Sequence, residues 1–391
     1  MRRTLAAAVL LACLLSLTAC ASILDGQRTV VEPHVPQSTP TPALDAVPAA
    51  SYDELYAVVY GMVAERQSRG EVHVFEYEGT ELDLADTLHR EIDRVRDAIT
   101  RTDALGAYSV ADITASVTQI VTYCKLDVEI TYRRAPSQVD AIVSASTTRY
   151  LRSQLTEMLS DRRGEAAILT SLPSVTADSI LAEIESIYYA NPLRVVMLPI
   201  TAVTVYPESG SDAGTRIFEL NFSYDHTEAV LSANLDLMLS AARELARQAS
   251  GANDLAIHRS LTQKLGEIAT YNDAHGALPD YSRQNFEATA YGALQGGSAN
   301  AEGYAMAYKA LCDELQLACV VVRGERDGRR YAWNIVTVAG ASYHIDAAMC
   351  DEDDENAWFL RADTAMADAG YTWDRAAYPT CAGDGTAAID N

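Results

Sequence analysis

Two neighbouring stretches hold the residue types and spacing that could do chemistry: GGSANAEGYAMAYKALCDEL, residues 296–315, and RRYAWNIVTVAGASYHIDAAM, residues 329–349. The first reads as a glycine-rich turn running into a helix, with Ser298 or Asn300 as the cap. Ala301, Tyr304, Ala305, Tyr308, Leu311, Cys312 and Leu315 then share one apolar face, so Ala301 points inward at the first turn. LACVVVRGER, RYAWNIVTVAG and ASYHIDAAM follow as three strands joined by tight turns. One position at a helix head and one on each of two strands is the layout of a thiol enzyme. The helix dipole lowers the thiol pKa, an imidazole pairs with it, and a carboxylate orients the imidazole. The head position here is alanine, which has no nucleophilic atom.

No nearby residue replaces it. Ser298 lies about one turn ahead of Ala301 with no imidazole placed to activate it, and capping is its expected role. Cys312 is about three turns along the helix and Cys319 opens a strand. His344 alternates with Tyr343 and Ile345 and stands two residues from Asp346, so it is a candidate relocated histidine. The acid run DEDDE, Asp351 to Glu355, reads as a solvated loop rather than a cation site.

The elements upstream are mixed. SYDELYAVVYGMVAERQ, DTLHREIDRVRDAIT, SQVDAIVSASTTRYLRSQLTEMLS, SILAEIESIYYA and TEAVLSANLDLMLSAARELARQ carry helical spacing, whereas LDVEITYRR and RIFELNFSY read as strands. LRVVMLPITAVTVYP is strand-like and divided by its proline. DVEITYRRAPSQVDAIVSAS and IFELNFSYDHTEAVLSANLD both run strand, tyrosine, polar turn, helix, a candidate internal duplication. His73, His89 and His226 are isolated and read as surface or satisfied histidines. LAIHRSLTQKLGEIATYNDAHG is a helix with Leu255, His258, Leu261 and Leu265 on one side, ending toward Gly276.

Residues 252–381 resemble a bacterial transglutaminase-like domain, of papain-like α+β fold. The resemblance rests on YGAL with its short loop to EGYAMAYKAL, then AWNIV, YHID and WDRAAYPTC, in order over about 130 residues. It implies three catalytic positions. The family's cysteine directly precedes Glu-Gly-Tyr, which is Ala301 here. Its histidine directly precedes Ala-Trp-Asn, which is Tyr331. Its aspartate follows Tyr-His-Ile and is retained as Asp346. A tyrosine, with an ordinary pKa of about 10, is a poor base at neutral pH, so only the orienting residue remains. Asp346 is then expected to accept a hydrogen bond from Tyr331. The implied fold class is α+β: a helix packed on an antiparallel sheet over 251–391, preceded by a mixed α/β domain over 51–250.

The chain begins MRRTLAAAVLLACLLSLTAC. Two arginines, an apolar run of about 13 residues and a small-residue tail read as a signal peptide over 1–19, since a bilayer span needs about 20. LTAC resembles the lipobox of bacterial lipoproteins, which implies a lipid on Cys20 and a tethered domain on the extracytoplasmic face of the cell membrane. Residues 20–50 carry five prolines and read as an extended tether. The formal net charge of −24 argues against nucleic acid. Beyond Cys13 and Cys20 there are Cys124, Cys312, Cys319, Cys350 and Cys381. Two disulfides and a free thiol suit an oxidising exterior, and Cys312 with Cys319 and Cys350 with Cys381 are the expected pairs. No metal motif and no cofactor motif stand out.

The expected function is a lipoprotein with a catalytically degenerate transglutaminase-like domain, binding an envelope peptide, glycan or protein or serving as a scaffold. Tyr304, Trp333, Tyr343 and His344 are the candidate ligand groove. The alternative is a hydrolase or acyltransferase with a non-standard nucleophile, acting on peptide or protein amides.

Overall fold

The structure, a computed structural model, describes residues 47–77, 83–208, 214–273, 285–353 and 355–385. The expected signal peptide, Cys20 and the expected tether as far as residue 46 lie outside them. Among the described residues no helix is long and apolar enough to cross a membrane.

The first part runs β1 (Val47–Pro48), α1 (Tyr52–Ala64), β2 (Arg69–Val74), α2 (Leu84–Thr102), α3 (Ala104–Ser109), β3 (Val110–Ile120) and β4 (Tyr123–Tyr132). In α2 the apolar residues Leu88, Ile92, Val95 and Ile99 recur every three or four positions, and all four are buried. Asp83 caps this helix by accepting from the amides of Ala85 and Asp86. The strands form a sheet in the order β1-β2-β4-β3, with β1 parallel to β2 and the other pairs antiparallel.

The next part repeats that plan. After α4 (Pro136–Asp140) come β5 (Val143–Ser144), α5 (Thr148–Ser160), β6 (Glu165–Thr170), α6 (Ala177–Ala190), β7 (Ile200–Tyr206), β8 (Arg216–Ser223) and α7 (Glu228–Gln248). The sheet order is β5-β6-β8-β7, again with one parallel pair followed by antiparallel ones. The echo in the sequence marks β4 with α4 and β8 with α7, the same position in each sheet. Expected as one helix, residues 137–160 are instead interrupted by β5, because Val143 and Ser144 pair with Ile168 and Leu169.

The last part holds α8 (Asp254–Ile268), β9 (Thr270–Tyr271), a short 3-10 turn (Phe286–Ala288), a π turn (Gly292–Gly296), β10 (Ser298–Ala299) and α9 (Ala301–Glu314). Then come β11 (Cys319–Arg326), β12 (Arg329–Val338), β13 (Ala341–Ile345), α10 (Ala347–Glu352), α11 (Glu355–Trp358), α12 (Asp363–Asp368) and β14 (Tyr371–Trp373). Helix α8 stops at Ile268 rather than near Gly276, since the chain turns there to pair Thr270 and Tyr271 with Ser298 and Ala299. Four of the strands form an antiparallel sheet, β13-β12-β11-β14, on which α9 packs. The acid run is not all loop: Asp351 and Glu352 lie in α10, Asp353 follows it as a bend, and Glu355 starts α11.

The described residues fall in one compact unit, and the packing does not divide at residue 250. The core of the first sheet, from Ala49 to Ile130, closes on itself. The second sheet shares its core with the last part: Met238, Ala242 and Leu245 of α7 pack in one cluster with Leu261 and Leu265 of α8 and Tyr304 and Tyr308 of α9.

Candidate functional site

Asn300, not Ser298, caps α9: its side chain accepts from the amide of Gly303 at 3.0 Å. Ser298 sits in β10 and donates its hydroxyl to Glu287 at 3.0 Å. The helix head lies hard against the chain before it. A Cβ on Gly303 would come within 2.2 Å of the Glu287 carbonyl oxygen, so the glycine of Glu-Gly-Tyr is fixed by close approach. On the sheet side, Asn334 donates to the Ala305 carbonyl at 3.0 Å and ties β12 to the helix.

Ala301, Tyr331 and Asp346 come together, and all three are buried, at 6, 9 and 1% exposed. Ala301 packs with Val322, Tyr331, Trp333, Ile335 and Tyr371. Where a thiol and an imidazole would meet, a methyl group and a phenol ring stand instead. Asp346 accepts from the Tyr331 hydroxyl at 3.4 Å, from the Tyr371 hydroxyl at 2.6 Å and from the Met349 amide at 3.1 Å. The last of these makes it the cap of α10. Burial pushes the Asp346 carboxyl up, and the hydrogen bonds from Tyr371, Met349 and Tyr331 oppose that rise. Burial, with Asp346 beside it, also lifts Tyr331 well above the ordinary tyrosine value, which removes it further from any role as base. The Arg326 guanidinium covers the Tyr331, Trp358 and Tyr371 rings at 5.7, 4.9 and 5.4 Å from their centroids. Tyr371 and Arg326 escaped the sequence reading. The only sign of Tyr371 was its place just ahead of the WDRAAYPTC segment.

The candidate groove is not a groove. Tyr304, Trp333 and His344 have no exposed surface, and Tyr343 is half-buried against the main core. Tyr304 donates its hydroxyl to Asp351 at 2.7 Å. Strand alternation puts Trp333 and Ile335 on one face of β12, and register places His344 opposite Ile335. The Trp333 indole N–H donates to His344 Nδ1 at 2.8 Å. An aromatic run on an interior strand is therefore spent on packing.

His344 does meet a carboxylate and a thiol, from parts of the chain the sequence did not connect. His344, Asp363 and Cys381 bring a nitrogen, an oxygen and a sulfur within 4.8 Å of one another. The composition suits a thiol triad or a zinc site, but the hydrogen bonds forbid both in this arrangement. An indole N–H only donates, so His344 Nδ1 must accept and its proton must lie on Nε2. Nε2 then donates to Asp363 Oδ1 at 2.8 Å. With both ring nitrogens engaged, the imidazole has no lone pair for the Cys381 proton or for a metal. Asp363 also accepts from the Cys381 amide at 3.2 Å, and burial pushes the Cys381 thiol up to about 12. Cys381 is 1% exposed and has no path to a substrate. Burial also lowers the His344 pKa, with Asp363 opposing.

A second buried imidazole, His258 on α8, pairs its Nδ1 with the Tyr308 hydroxyl at 2.9 Å and leaves Nε2 without a partner. Burial lowers its pKa to about 4.

All five described cysteines are free thiols. Cys312 lies within hydrogen-bond reach of Cys319. The expected Cys350–Cys381 pair is not brought together: Cys350 donates to the Glu355 carbonyl, whereas Cys381 sits with Asp363 and His344. A cavity of about 250 Å³ lies away from the helix head, between α8 and α10, lined by Thr262, Gln263, Gly266, Glu267, Cys350, Asp351 and Glu355.

No family model matches the sequence, and no curated protein matches it. Solved structures with some likeness include a TGase, at 12% identity and a TM-score of 0.26, covering 56% of this chain and 60% of that one. A protein of Cytophaga hutchinsonii proposed to be a cysteine protease aligns at 12% identity and 0.23, over 38% of this chain and 65% of its own. A protein of Parabacteroides distasonis proposed to be a protease aligns at 7% and 0.22, over 71% of this chain and 40% of its own. The chain thus spans between 40 and 65% of the length of these neighbours. At such scores the chemistry of the site has to be read from its own residues.

Proposed function

We propose that this is a membrane-anchored lipoprotein of the extracytoplasmic face whose C-terminal part is a transglutaminase-like domain that has lost its thiol chemistry. Its role is to bind a peptide, glycan or protein of the cell envelope, or to act as a scaffold there. One observation carries the reading. The carboxylate that would orient a histidine is engaged by two tyrosine hydroxyls and a helix amide, and the helix head facing it is alanine. Covalent catalysis has no nucleophile, and the aspartate has no imidazole to hold. Because Tyr304, Trp333 and His344 of the candidate groove are interior, the binding role falls to the outer surface.

The test is a paired assay of amine incorporation and amide hydrolysis. It compares the purified wild-type chain with an Ala301→Cys, Tyr331→His double variant. Silence from the wild type with turnover by the variant supports a preserved scaffold emptied of chemistry. Turnover by the wild type sinks the reading. For the anchor, Cys20→Ala is expected to abolish incorporation of labelled fatty acid and release the chain from the membrane fraction.

A further inference from the structure

We propose that Cys312 and Cys319 form a disulfide when the chain meets a disulfide oxidant, and that Cys124, Cys350 and Cys381 remain thiols. The two sulfurs are neighbours by construction of the fold. Cys312 is on the inward face of α9 near its end, and the Leu317 amide donates back to the Cys312 carbonyl at 2.8 Å, folding the connection over on itself. Cys319 opens β11, paired opposite Val336, and points into the same core. The thiols end within hydrogen-bond reach of one another. No other pair of the five has such a neighbour: Cys124 belongs to the separate core of the first sheet, and Cys350 and Cys381 are held by Glu355 and Asp363.

The order of events follows from access. Cys312 has no exposed surface, whereas Cys319 is 8% exposed and is the one of the pair that an oxidant can reach first. Cys319 attacks the oxidant's disulfide, giving a mixed disulfide and releasing one thiol. Cys312 then loses its proton and displaces the second. Two S–H bonds are lost, one S–S bond forms, and the two electrons reduce the oxidant to two thiols. The occasion for oxidation rests on the extracytoplasmic reading above, but the pairing does not.

The wild-type chain is secreted into an oxidising bacterial periplasm, its thiols are trapped in acid by alkylation, and it is digested without reduction for peptide mapping. The expected result is one linked peptide joining Cys312 to Cys319, with the other three cysteines alkylated. Alkylation of both Cys312 and Cys319, or a link from either to another cysteine, overturns the proposal. A second measurement treats the reduced native chain with glutathione disulfide. Oxidation is expected to raise Tm by about 3 to 6 °C in the wild type and to leave a Cys312→Ala, Cys319→Ala variant unmoved. A wild-type Tm that stays put counts against it. Failure of the envelope reading leaves both results standing.

Discussion

Two carboxylates in the last part of the chain, Asp346 buried and Asp363 partly so, make an instructive pair. Asp346 stands where the resemblance puts a catalytic residue, and its partners are two phenols and a backbone amide. Asp363 stands where nothing was expected, and its partners are an imidazole, a backbone amide and the region of a thiol. By composition the second cluster looks the more catalytic. By hydrogen-bond direction neither is, because Trp333 fixes the proton of His344 on the side of Asp363. What decides chemistry here is which lone pair is left free.

The comparison is broken most forcefully at Asp346. Asp346→Ala removes the acceptor that the Tyr371 hydroxyl, the Met349 amide and the Tyr331 hydroxyl share in the interior, and should cost about 3 to 5 kcal/mol by denaturant unfolding. If the loss is under about 1 kcal/mol, the tyrosines are not held by it. Next in size is an effect of pH on the third buried polar group. His258, facing Tyr308 with Asp254 nearby, has a pKa of about 4 when folded against an ordinary 6.5. The unfolded chain takes up this proton first, so the stability His258 lends is complete above pH 6.5 and is lost as pH falls toward 4. The loss should amount to about 3 kcal/mol. A His258→Gln variant should show a correspondingly shallower acid slope, and an unchanged slope would assign the proton elsewhere.

Trp333→Phe sharpens the contrast. It should cost about 2 kcal/mol, and it removes the donor that fixes the His344 tautomer. The variant is expected to take up Co²⁺ with a thiolate absorption band that the wild type lacks. Equal binding by both would mean the indole does not control the imidazole. The smallest effect is expected for Tyr331→Phe, which deletes the long 3.4 Å bond to Asp346 and should cost about 0.5 to 1 kcal/mol, read as a small shift in the denaturant midpoint.

Local features were legible in the sequence because they depend on near neighbours. The helix from Ala301, its cap among Ser298 and Asn300 and the following strands follow from spacing, and the tyrosine facing Asp346 follows from the resemblance. The echo of DVEITY and IFELNF picked out the same strand of two sheets with one order. Contacts between distant segments were not legible. Nothing in YHID says that His344 meets Asp363 nineteen residues on, or that Tyr371 returns to Asp346. The same limit explains the aromatic residues: Trp333 and Tyr304 have the types of a ligand groove, and only the strand and helix that cover them make them core. The expected boundary at 250 followed the extent of the resemblance, whereas the core follows the contacts of α7 with α8 and α9.

That shared core determines how the molecule can be cut. A piece beginning at residue 251 would carry the whole resemblance and yet lay bare Leu261, Leu265 and Tyr308, which α7 covers. It would also strip Glu302 of the Tyr189 hydroxyl and the Ala288 carbonyl of Tyr188. The smallest excisable unit that keeps the α9 scaffold dressed therefore starts at β5. The first sheet keeps its own core, and what a cut at β5 uncovers is the smaller contact in which Ala104 and Tyr108 of α3 pack on Ala167 and Ile217.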